Sequence, residues 1–380
     1  MKIRDVRLLP LRGATPDGGW DERLLKEETN LHTLIEVMTD DGVVGMGSVF
    51  TSAALVQGAI EVLQPFLIGA SAIDPSATTE RLHQQTFWQG RGGALTHAIS
   101  GIDIALWDIL GKVTGQPISR LLGGRYRESI KPYASLLMDE SGQMERSMEA
   151  GIQRGFRAFK IGWGPFGRQD KKTDEALVRS ARQTIGDEIE LMVDAGGSDA
   201  FWPHGYKWAL STAQMLADYD VAWFEEPLRP DDMEGYKRLT QAAPLPIAGG
   251  EVLTRRQAFI PWLEQQAIDY VQPDVTKVGG LSEERRIADL ADDHSVLFVP
   301  HGWNTAVGLA ADLQLVAAAR NARWVEYLTP SRYIDDLLLD PIQMSPDGSL
   351  PIPDGPGLGM KWNPEGIEKY TGGLKMTASA

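Results

Sequence analysis

The sequence predicts an α/β fold in which a (β/α)8-type barrel follows an N-terminal α+β capping domain that the C-terminal tail completes. The chain has 380 residues, which is enough for one barrel and a second domain. Eight short apolar segments recur after residue 126, each followed by a helical pattern. They repeat about every 28 residues, the length of one buried strand, one helix and two loops. We assign 1–125 to the capping domain, 126–350 to the barrel and 351–380 to a segment that returns to the capping domain.

The first domain shows strand signals and then helical ones. Segments Thr33–Thr39 and Val43–Gly47 flank Asp40-Asp41-Gly42, which is typical of a β-hairpin with a tight turn. Across Ala94–Lys112 the apolar residues recur at helical spacing and form one stripe. Strands followed by helices predict a small α+β domain.

The barrel strands are predicted where short apolar runs end in a polar residue. Eight such units favour a closed barrel over an open sheet. After them, Leu350–Gly359 is rich in Pro and Gly, which excludes a helix and suits a segment crossing the surface towards the first domain. The predicted strands are Ile130–Ser135, Arg157–Gly162, Ile189–Asp194, Val221–Glu226, Pro246–Glu251, Asp269–Asp274, Val296–His301 and Trp324–Tyr327.

The composition excludes several classes of function. Lys plus Arg number 37 and Asp plus Glu 52, and the resulting net charge of −15 argues against binding to nucleic acid or to an anionic membrane surface. There are no cysteines, so disulfides, thiolate metal sites and a cysteine nucleophile are excluded. The first residues do not resemble a signal peptide, and no apolar run is long enough for a membrane span. We therefore expect a cytoplasmic protein.

The predicted strands end in ionisable side chains. In a barrel these ends converge on one mouth, where the catalytic groups of such enzymes lie. Like charges crowded in a cleft repel one another strongly, and a divalent cation is the simplest way to compensate them. The residues concerned are Lys160, Asp194, Glu225 with Glu226, Glu251, Asp274, His301 and Glu326.

Three acids on consecutive strands are the candidate metal ligands. Asp194, Glu225 and Glu251 offer three oxygen ligands around one point, and ligation by carboxylates alone selects Mg²⁺ before Ca²⁺ or Mn²⁺. The alternative is that each acid caps the helix that follows its strand.

His301 is the candidate base. It follows an apolar strand, and the preceding strand ends at Asp274, whose carboxylate could hold one ring nitrogen and leave the other to move a proton. A structural, hydrogen-bonded histidine is the alternative. Lys160 lies on the opposite side of the barrel, where it could bind a substrate carboxylate or act as a base.

These residues and their order resemble the enolase superfamily, and within it the mandelate racemase subgroup. The similarity extends over nearly the whole chain, and its motifs are specific in combination rather than singly. The matching segments are Gly101–Asp108, Leu121–Gly124, Trp223–Pro227, Ala248–Glu251, Gln272–Asp274, Val299–His301, Glu326 and Asp354–Gly359.

The resemblance implies a role for each candidate residue. Asp194, Glu225 and Glu251 would bind one Mg²⁺ per subunit, with Asp274 and His301 as the proton-transferring dyad. Glu326 is similar to the family's acid on the eighth strand, which hydrogen-bonds the carboxylate as it becomes enolic. The loop Gly13–Asn30 and the region Phe50–Ala54 would close over the substrate. The subunits would form a homo-oligomer.

Two positions depart from the family pattern. Many members have Lys-x-Lys on the second strand, but this chain has Lys160-Ile161-Gly162, so the second lysine is absent. Racemisation needs a base on each face of the α-carbon, and one face lacks its base. The third strand continues Asp194-Ala195-Gly196, where the family often has Asn in place of the glycine.

A single base favours β-elimination from a sugar acid, by dehydration or by ring opening of a lactone or anhydro form, giving a 2-keto-3-deoxy acid. Lys160 would bind the substrate carboxylate, and Trp163 and Trp303, which follow strand ends, would form pocket walls. One alternative is a racemase or epimerase that uses Lys160 or the loop residue His204 on the second face. His204 is also a candidate substrate-binding residue, because its loop follows the third strand. The other alternative is a catalytically silent metal-binding scaffold.

Overall fold

A computed structural model of the protein describes residues 1–14, 23, 31–140, 142–199 and 201–377. Within this part of the chain, no helix combines the length and the apolar character needed to cross a bilayer.

The first domain contains an antiparallel sheet covered by helices. Its strands β1 (Ile3–Pro10), β2 (His32–Thr39) and β3 (Val44–Phe50) pair in chain order. The turn between β2 and β3 contains Gly42 at a φ of +85°, a conformation that glycine adopts readily. The predicted hairpin and the helix predicted over Ala94–Lys112 are both confirmed. The helices are α1 (Ala53–Leu67), α2 (Pro75–Gln85), α3 (Ala94–Thr114) and α4 (Ile118–Leu121).

The second domain is built on eight parallel strands, each of which overlaps one predicted segment, so the predicted barrel is confirmed. Neighbouring strands pair in chain order, the last pairs with the first, and a bridge from Phe298 to Ala322 joins the seventh to the segment before the eighth. The strands are β4 (Ser129–Leu137), β5 (Ala158–Gly162), β6 (Glu190–Asp194), β7 (Val221–Glu225), β8 (Ile247–Gly249), β9 (Tyr270–Val271), β10 (Leu297–Phe298) and β11 (Trp324–Leu328).

A helix follows each barrel strand and covers the outside of the sheet. Most of these helices have one buried face, but every residue of the seventh is buried, including the polar Asp312 and Gln314. The helices are α5 (Gln143–Arg154), α6 (Lys171–Ile185), α7 (Tyr206–Ala217), α8 (Met233–Ala242), α9 (Arg256–Glu264), α10 (Leu281–Asp293), α11 (Ala306–Ala318) and α12 (Arg332–Asp335).

The C-terminal segment connects the two domains. Its short strand β12 (Leu350–Pro351) pairs with the start of β4, and the chain then passes α3, where the backbone of Gly357 lies directly against Gly111. After helix α13 (Pro364–Thr371), strand β13 (Met376–Thr377) pairs with β1 and extends the first sheet.

Helix α3 carries several of the polar contacts that join the domains. The Asp103 carboxylate accepts a hydrogen bond from the backbone N–H of Ser282 at the start of α10 (2.9 Å), and Trp107 Nε1 donates to Ser282 Oγ (2.9 Å). Asp108 accepts a hydrogen bond from the backbone N–H of Leu358 in the tail (3.0 Å). These contacts explain why the polar residues of the motif Gly101–Asp108 are buried although the motif lies outside the barrel sheet.

The close packing of α3 on the sheet depends on glycine in β3. A Cβ at Gly47 would collide with the backbone carbonyl of Gly101. We expect Gly47→Ala to lower the free energy of unfolding by about 3 kcal/mol, because neither backbone can move without disturbing the sheet or the helix. The urea midpoint of unfolding measures the loss.

Gly58→Ala in α1 is the matched control, since nothing lies within 4 Å of its added Cβ. That substitution should raise the free energy of unfolding by up to about 1 kcal/mol, because alanine favours a helix over glycine. Equal midpoints for the two variants would contradict the packing explanation.

Candidate active site

The interior of the barrel is layered because side chains alternate along each strand. The lower layer is a buried plug of aromatic and aliphatic side chains. Most of the predicted polar residues lie two positions after a residue of this plug. Their side chains therefore form the next layer. The plug consists of Tyr133, Ala158, Met192, Trp223, Ala248, Val299 and Trp324. The polar residues above it are Lys160, Asp194, Glu225, His301 and Glu326.

Three buried carboxylates converge in this layer. One oxygen each from Asp194, Glu225 and Glu251 lies within 4.8 Å of the other two. Burial first, and then the neighbouring carboxylate of Glu225, raise the pKa of Asp194 to about 8. A divalent cation would relieve this crowding, and a set made only of carboxylate oxygens fits Mg²⁺.

Neighbouring side chains orient these carboxylates. Trp163 Nε1 donates a hydrogen bond to Asp194 Oδ2 (3.1 Å). Glu225 Oε2 accepts hydrogen bonds from Gln272 Nε2 (2.6 Å) and from Trp223 Nε1 (3.0 Å). Partners of this kind fix the direction of a ligand's lone pairs and strengthen metal binding.

Lys160 supplies positive charge beside the three carboxylates. Its Nζ lies 2.5 Å from Glu225 Oε1, 2.9 Å from Glu326 Oε1 and 4.0 Å from Asp194 Oδ2. Burial alone would lower the pKa of Lys160, but Glu225 and Glu326 raise it well above its usual range. Burial would raise the pKa of Glu326, yet Lys160 and then His301 lower it to about 2, so Glu326 is ionised in this arrangement.

His301 and Asp274 form a buried hydrogen-bonded pair. His301 Nδ1 lies 2.7 Å from Asp274 Oδ2, and Nδ1 is the donor because a carboxylate only accepts. Asp274 Oδ1 accepts hydrogen bonds from the backbone N–H (2.8 Å) and the hydroxyl (2.6 Å) of Thr276. The other ring nitrogen, Nε2, lies 3.2 Å from Glu251 Oε2, beside the three carboxylates.

A cavity of about 310 Å³ opens above these groups. Trp163 and Trp303 lie in its wall, where the sequence predicts pocket residues, and Phe50 and Leu31 of the first domain close it from above. The volume suits a small organic molecule. The full lining is Leu31, Phe50, Ser135, Leu136, Leu137, Lys160, Gly162, Trp163, Asp194, Glu251, Lys277, His301, Trp303 and Glu326.

The two departures from the family pattern lie next to Asp194. A Cβ at Gly162 would lie 2.7 Å from the Cβ of Asp194, and a Cβ at Gly196 would lie 2.7 Å from the Trp163 ring. Trp163 therefore occupies the space of a side chain at position 196, and its indole N–H is the polar group that contacts Asp194 there.

The structure does not bring His204 to the cavity. Its ring stacks on Trp208 with centroids 4.2 Å apart, and its Nε2 donates to the carbonyl of Gly167 (2.6 Å). The expectation that His204 binds substrate is therefore corrected: it packs within the loop region near α7. Of the predicted closing loop Gly13–Asn30, residues 15–22 and 24–30 lie outside the described residues.

Lys277 is a residue of this site that the sequence reasoning missed. It follows Asp274 by three positions, is only 7% exposed and lines the cavity. The available signal was a lysine in the turn that follows a strand ending in an acid. Such a lysine belongs to no periodic pattern.

Buried carboxylates at the strand ends, beside a lysine and an Asp–His pair under a capping domain, define a barrel enzyme of the enolase type. Residues 143–366 match the enolase C-terminal domain-like family, and residues 26–123 match the mandelate racemase/muconate lactonizing enzyme N-terminal domain. The chain therefore belongs to this family, and the resemblance found in the sequence is confirmed.

Similar proteins narrow the class of reaction. The chain is 34% identical to a D-galactarolactone cycloisomerase of Agrobacterium fabrum, over 97% of this chain and 99% of that protein. It is 31% identical to a D-xylonate dehydratase of Haloferax volcanii, over 97% of this chain and 90% of that protein. A solved racemase from Streptomyces coelicolor with bound magnesium has a TM-score of 0.83 at 28% identity, over 97% of this chain and 99% of that one. The chain is thus a lyase or isomerase of the mandelate racemase subgroup.

Magnesium should stabilise the folded protein if the three carboxylates bind it. We expect MgCl₂ to raise the thermal midpoint of the wild-type protein, because a ligand at 100 times its Kd adds about 2.7 kcal/mol. Glu225→Gln should abolish this response, and differential scanning calorimetry with and without MgCl₂ measures it.

Glu175→Gln in α6 removes one negative charge from an exposed site and serves as the control. Its midpoint should respond to MgCl₂ as the wild type does. An unchanged response in Glu225→Gln would show that the ion binds elsewhere.

Proposed function

We propose that this enzyme removes the α-proton of a sugar-acid carboxylate and then expels the oxygen on the β-carbon, giving a 2-keto-3-deoxy acid. Asp194, Glu225 and Glu251 would hold one Mg²⁺ per subunit. When bound, Mg²⁺ neutralises negative charge that develops on the substrate carboxylate as the α-proton leaves.

The observation that carries the proposal is that the candidate base lies on one side of the cavity. His301 Nδ1 is held by Asp274, which leaves Nε2 to take a proton. Gly162, at the interior position beyond Lys160, offers no side chain to the cavity it lines. A racemase needs a base on each face of the α-carbon, whereas β-elimination needs one.

Lys160 and His301 have separate roles in the proposed reaction. Lys160 would bind the substrate carboxylate and stabilise the negative charge that grows on it. General-base catalysis alone raises a reaction rate only about 10²–10⁴-fold, so the reaction also needs this electrostatic stabilisation. His301 takes the α-proton, the electrons of that C–H bond form the Cα=Cβ bond, and the β-carbon–oxygen bond breaks. His301 then returns its proton to the leaving oxygen. The enol product tautomerises to the 2-keto acid.

The names of the relatives and the cavity both support a sugar acid as the substrate. One relative is named for a sugar lactone and another for an aldonate. The indole walls of Trp163 and Trp303 suit the apolar face of a sugar ring or chain. If the leaving oxygen is a hydroxyl, the reaction is dehydration; if it belongs to a ring, the reaction is a ring-opening cycloisomerisation.

A racemase or epimerase is the second candidate. One structural relative is named a racemase, and Lys160 lines the cavity opposite His301. As a base on the second face, Lys160 would have to be neutral. Its ion pairs with Glu225 and Glu326 favour the ammonium instead, which makes this candidate the weaker one.

Product analysis in heavy water separates the two reactions. The panel contains D-xylonate, D-galactarolactone, other aldonates and anhydro acids, each with MgCl₂, and semicarbazide detects 2-keto acids. We expect keto acid from at least one member, and a loss of at least about 10²-fold in His301→Asn because the base is removed.

His294→Asn makes the same substitution at the opposite end of the barrel and should retain activity. Exchange of the α-proton with solvent and no keto acid from any panel member would instead support the racemase. Substantial turnover by His301→Asn would contradict the single-base mechanism.

A further inference from the structure

Lys277 is a buried cation of the cavity to which the proposed reaction assigns no role. It lies in the turn between β9 and α10, and its side chain is 8% exposed. Its ammonium rests 4.5 Å from the ring centroid of Phe50, the first-domain residue that closes the cavity. Placing a lysine here costs desolvation energy, and the neighbouring carboxylates offset that cost.

The contacts of Lys277 differ from those of Lys160. Its Nζ lies 3.5 Å from Asp274 Oδ2 and 3.8 Å from Glu251 Oε1. Both separations are ion-pair distances and exceed the 2.7–3.2 Å of a well-formed N–H···O hydrogen bond. Lys160, in contrast, approaches Glu225 Oε1 to 2.5 Å. An ammonium has three N–H donors, so Lys277 can still donate to a ligand oxygen in the cavity.

Lys277 also lies on the same side of the cavity as the candidate base. Asp274 Oδ2, the oxygen nearest to its ammonium, is the atom that accepts the hydrogen bond from His301 Nδ1. Glu251 likewise faces both residues, with Oε1 towards Lys277 and Oε2 towards His301 Nε2. A substrate whose α-proton points at His301 would therefore present the groups of that face to the side of the cavity that Lys277 lines.

We propose that Lys277 is a further catalytic residue, whose ammonium hydrogen-bonds the oxygen that leaves the β-carbon. This role rests on the proposed elimination. As the carbon–oxygen bond breaks, its electron pair stays on the oxygen, the ammonium stabilises that charge, and the proton that His301 took from the α-carbon completes the hydroxyl or water. Lys160 stabilises charge on the carboxylate, and Lys277 stabilises charge on the leaving oxygen. The two lysines thus act at the two ends of the group through which the electrons move.

Three compounds separate this role from a structural one. They are the substrate that the panel identifies, its 3-deoxy-3-fluoro analogue and its 3-deoxy analogue. The 3-deoxy compound has no leaving group, so exchange of its α-proton in heavy water reports only on His301 and the carboxylate site. Fluoride leaves as a weakly basic anion and depends less on a hydrogen-bond donor than an oxygen does.

In Lys277→Met we expect elimination of the oxygen leaving group to fall about 10²–10³-fold, the usual effect of removing one such donor. Exchange from the 3-deoxy analogue should remain within a few-fold of the wild type. Loss of fluoride should be impaired less than loss of the oxygen. Lys131→Met, the same substitution at an exposed ion pair near the start of β4, should change none of these rates.

The outcomes are distinguishable. If exchange and elimination fall together in Lys277→Met, the residue acts through the Asp274–His301 pair and the proposal is wrong. It is equally wrong if elimination is unchanged. Lys277→Gln keeps a neutral donor and should show a smaller loss with the same selectivity, which provides the test if the methionine variant does not fold. If the wild type releases no keto acid from any compound, it is the proposed function that fails.

Discussion

The rest of the site depends on how the barrel accommodates a group of buried carboxylates at one end. Repulsion between such charges is strong where water is excluded; burial first, and then repulsion from the Glu225 carboxylate, raises the pKa of Asp194. Lys160 and Lys277 compensate part of this charge from two sides, and a bound cation would compensate more. The plug of side chains below keeps the group at the mouth of the barrel. The group consists of Asp194, Glu225, Glu226, Glu251, Asp274 and Glu326.

The departures of this chain from the family pattern form one packing unit around Asp194. Gly162 leaves room for the Asp194 backbone and Cβ, and Gly196 leaves room for the Trp163 ring. The indole then donates a hydrogen bond to Asp194. A longer side chain at either glycine would displace this carboxylate or this ring. The absence of a second lysine at position 162 is therefore linked by packing to the presence of the Trp163 ring in the cavity wall. Both features make the two sides of the cavity different.

The repeat pattern and strand periodicity were enough to predict the barrel and most of the site. Asp194 and His301 end predicted strands, Glu225 is the penultimate residue of another, and parallel strands in a closed barrel must bring those ends together. The position of His204 could not be predicted, because stacking on Trp208 is a loop contact with no period. Lys277 was missed for the same reason. Nor does periodicity reveal that Asp103, Trp107 and Asp108 contact α10 and the C-terminal segment.

The distribution of charge explains how an acidic protein can suit an anionic substrate. The net charge of −15 should repel an anion at long range. At short range the substrate would meet Lys160, Lys277 and a cation on the three carboxylates, in a cavity closed by Phe50. Hydrogen bonds to charged donors are strongest where water is excluded. Closure by the first domain would therefore favour the proposed anion once it has entered, and the two lysines on different sides of the cavity suit the proposed elimination better than proton exchange between two faces.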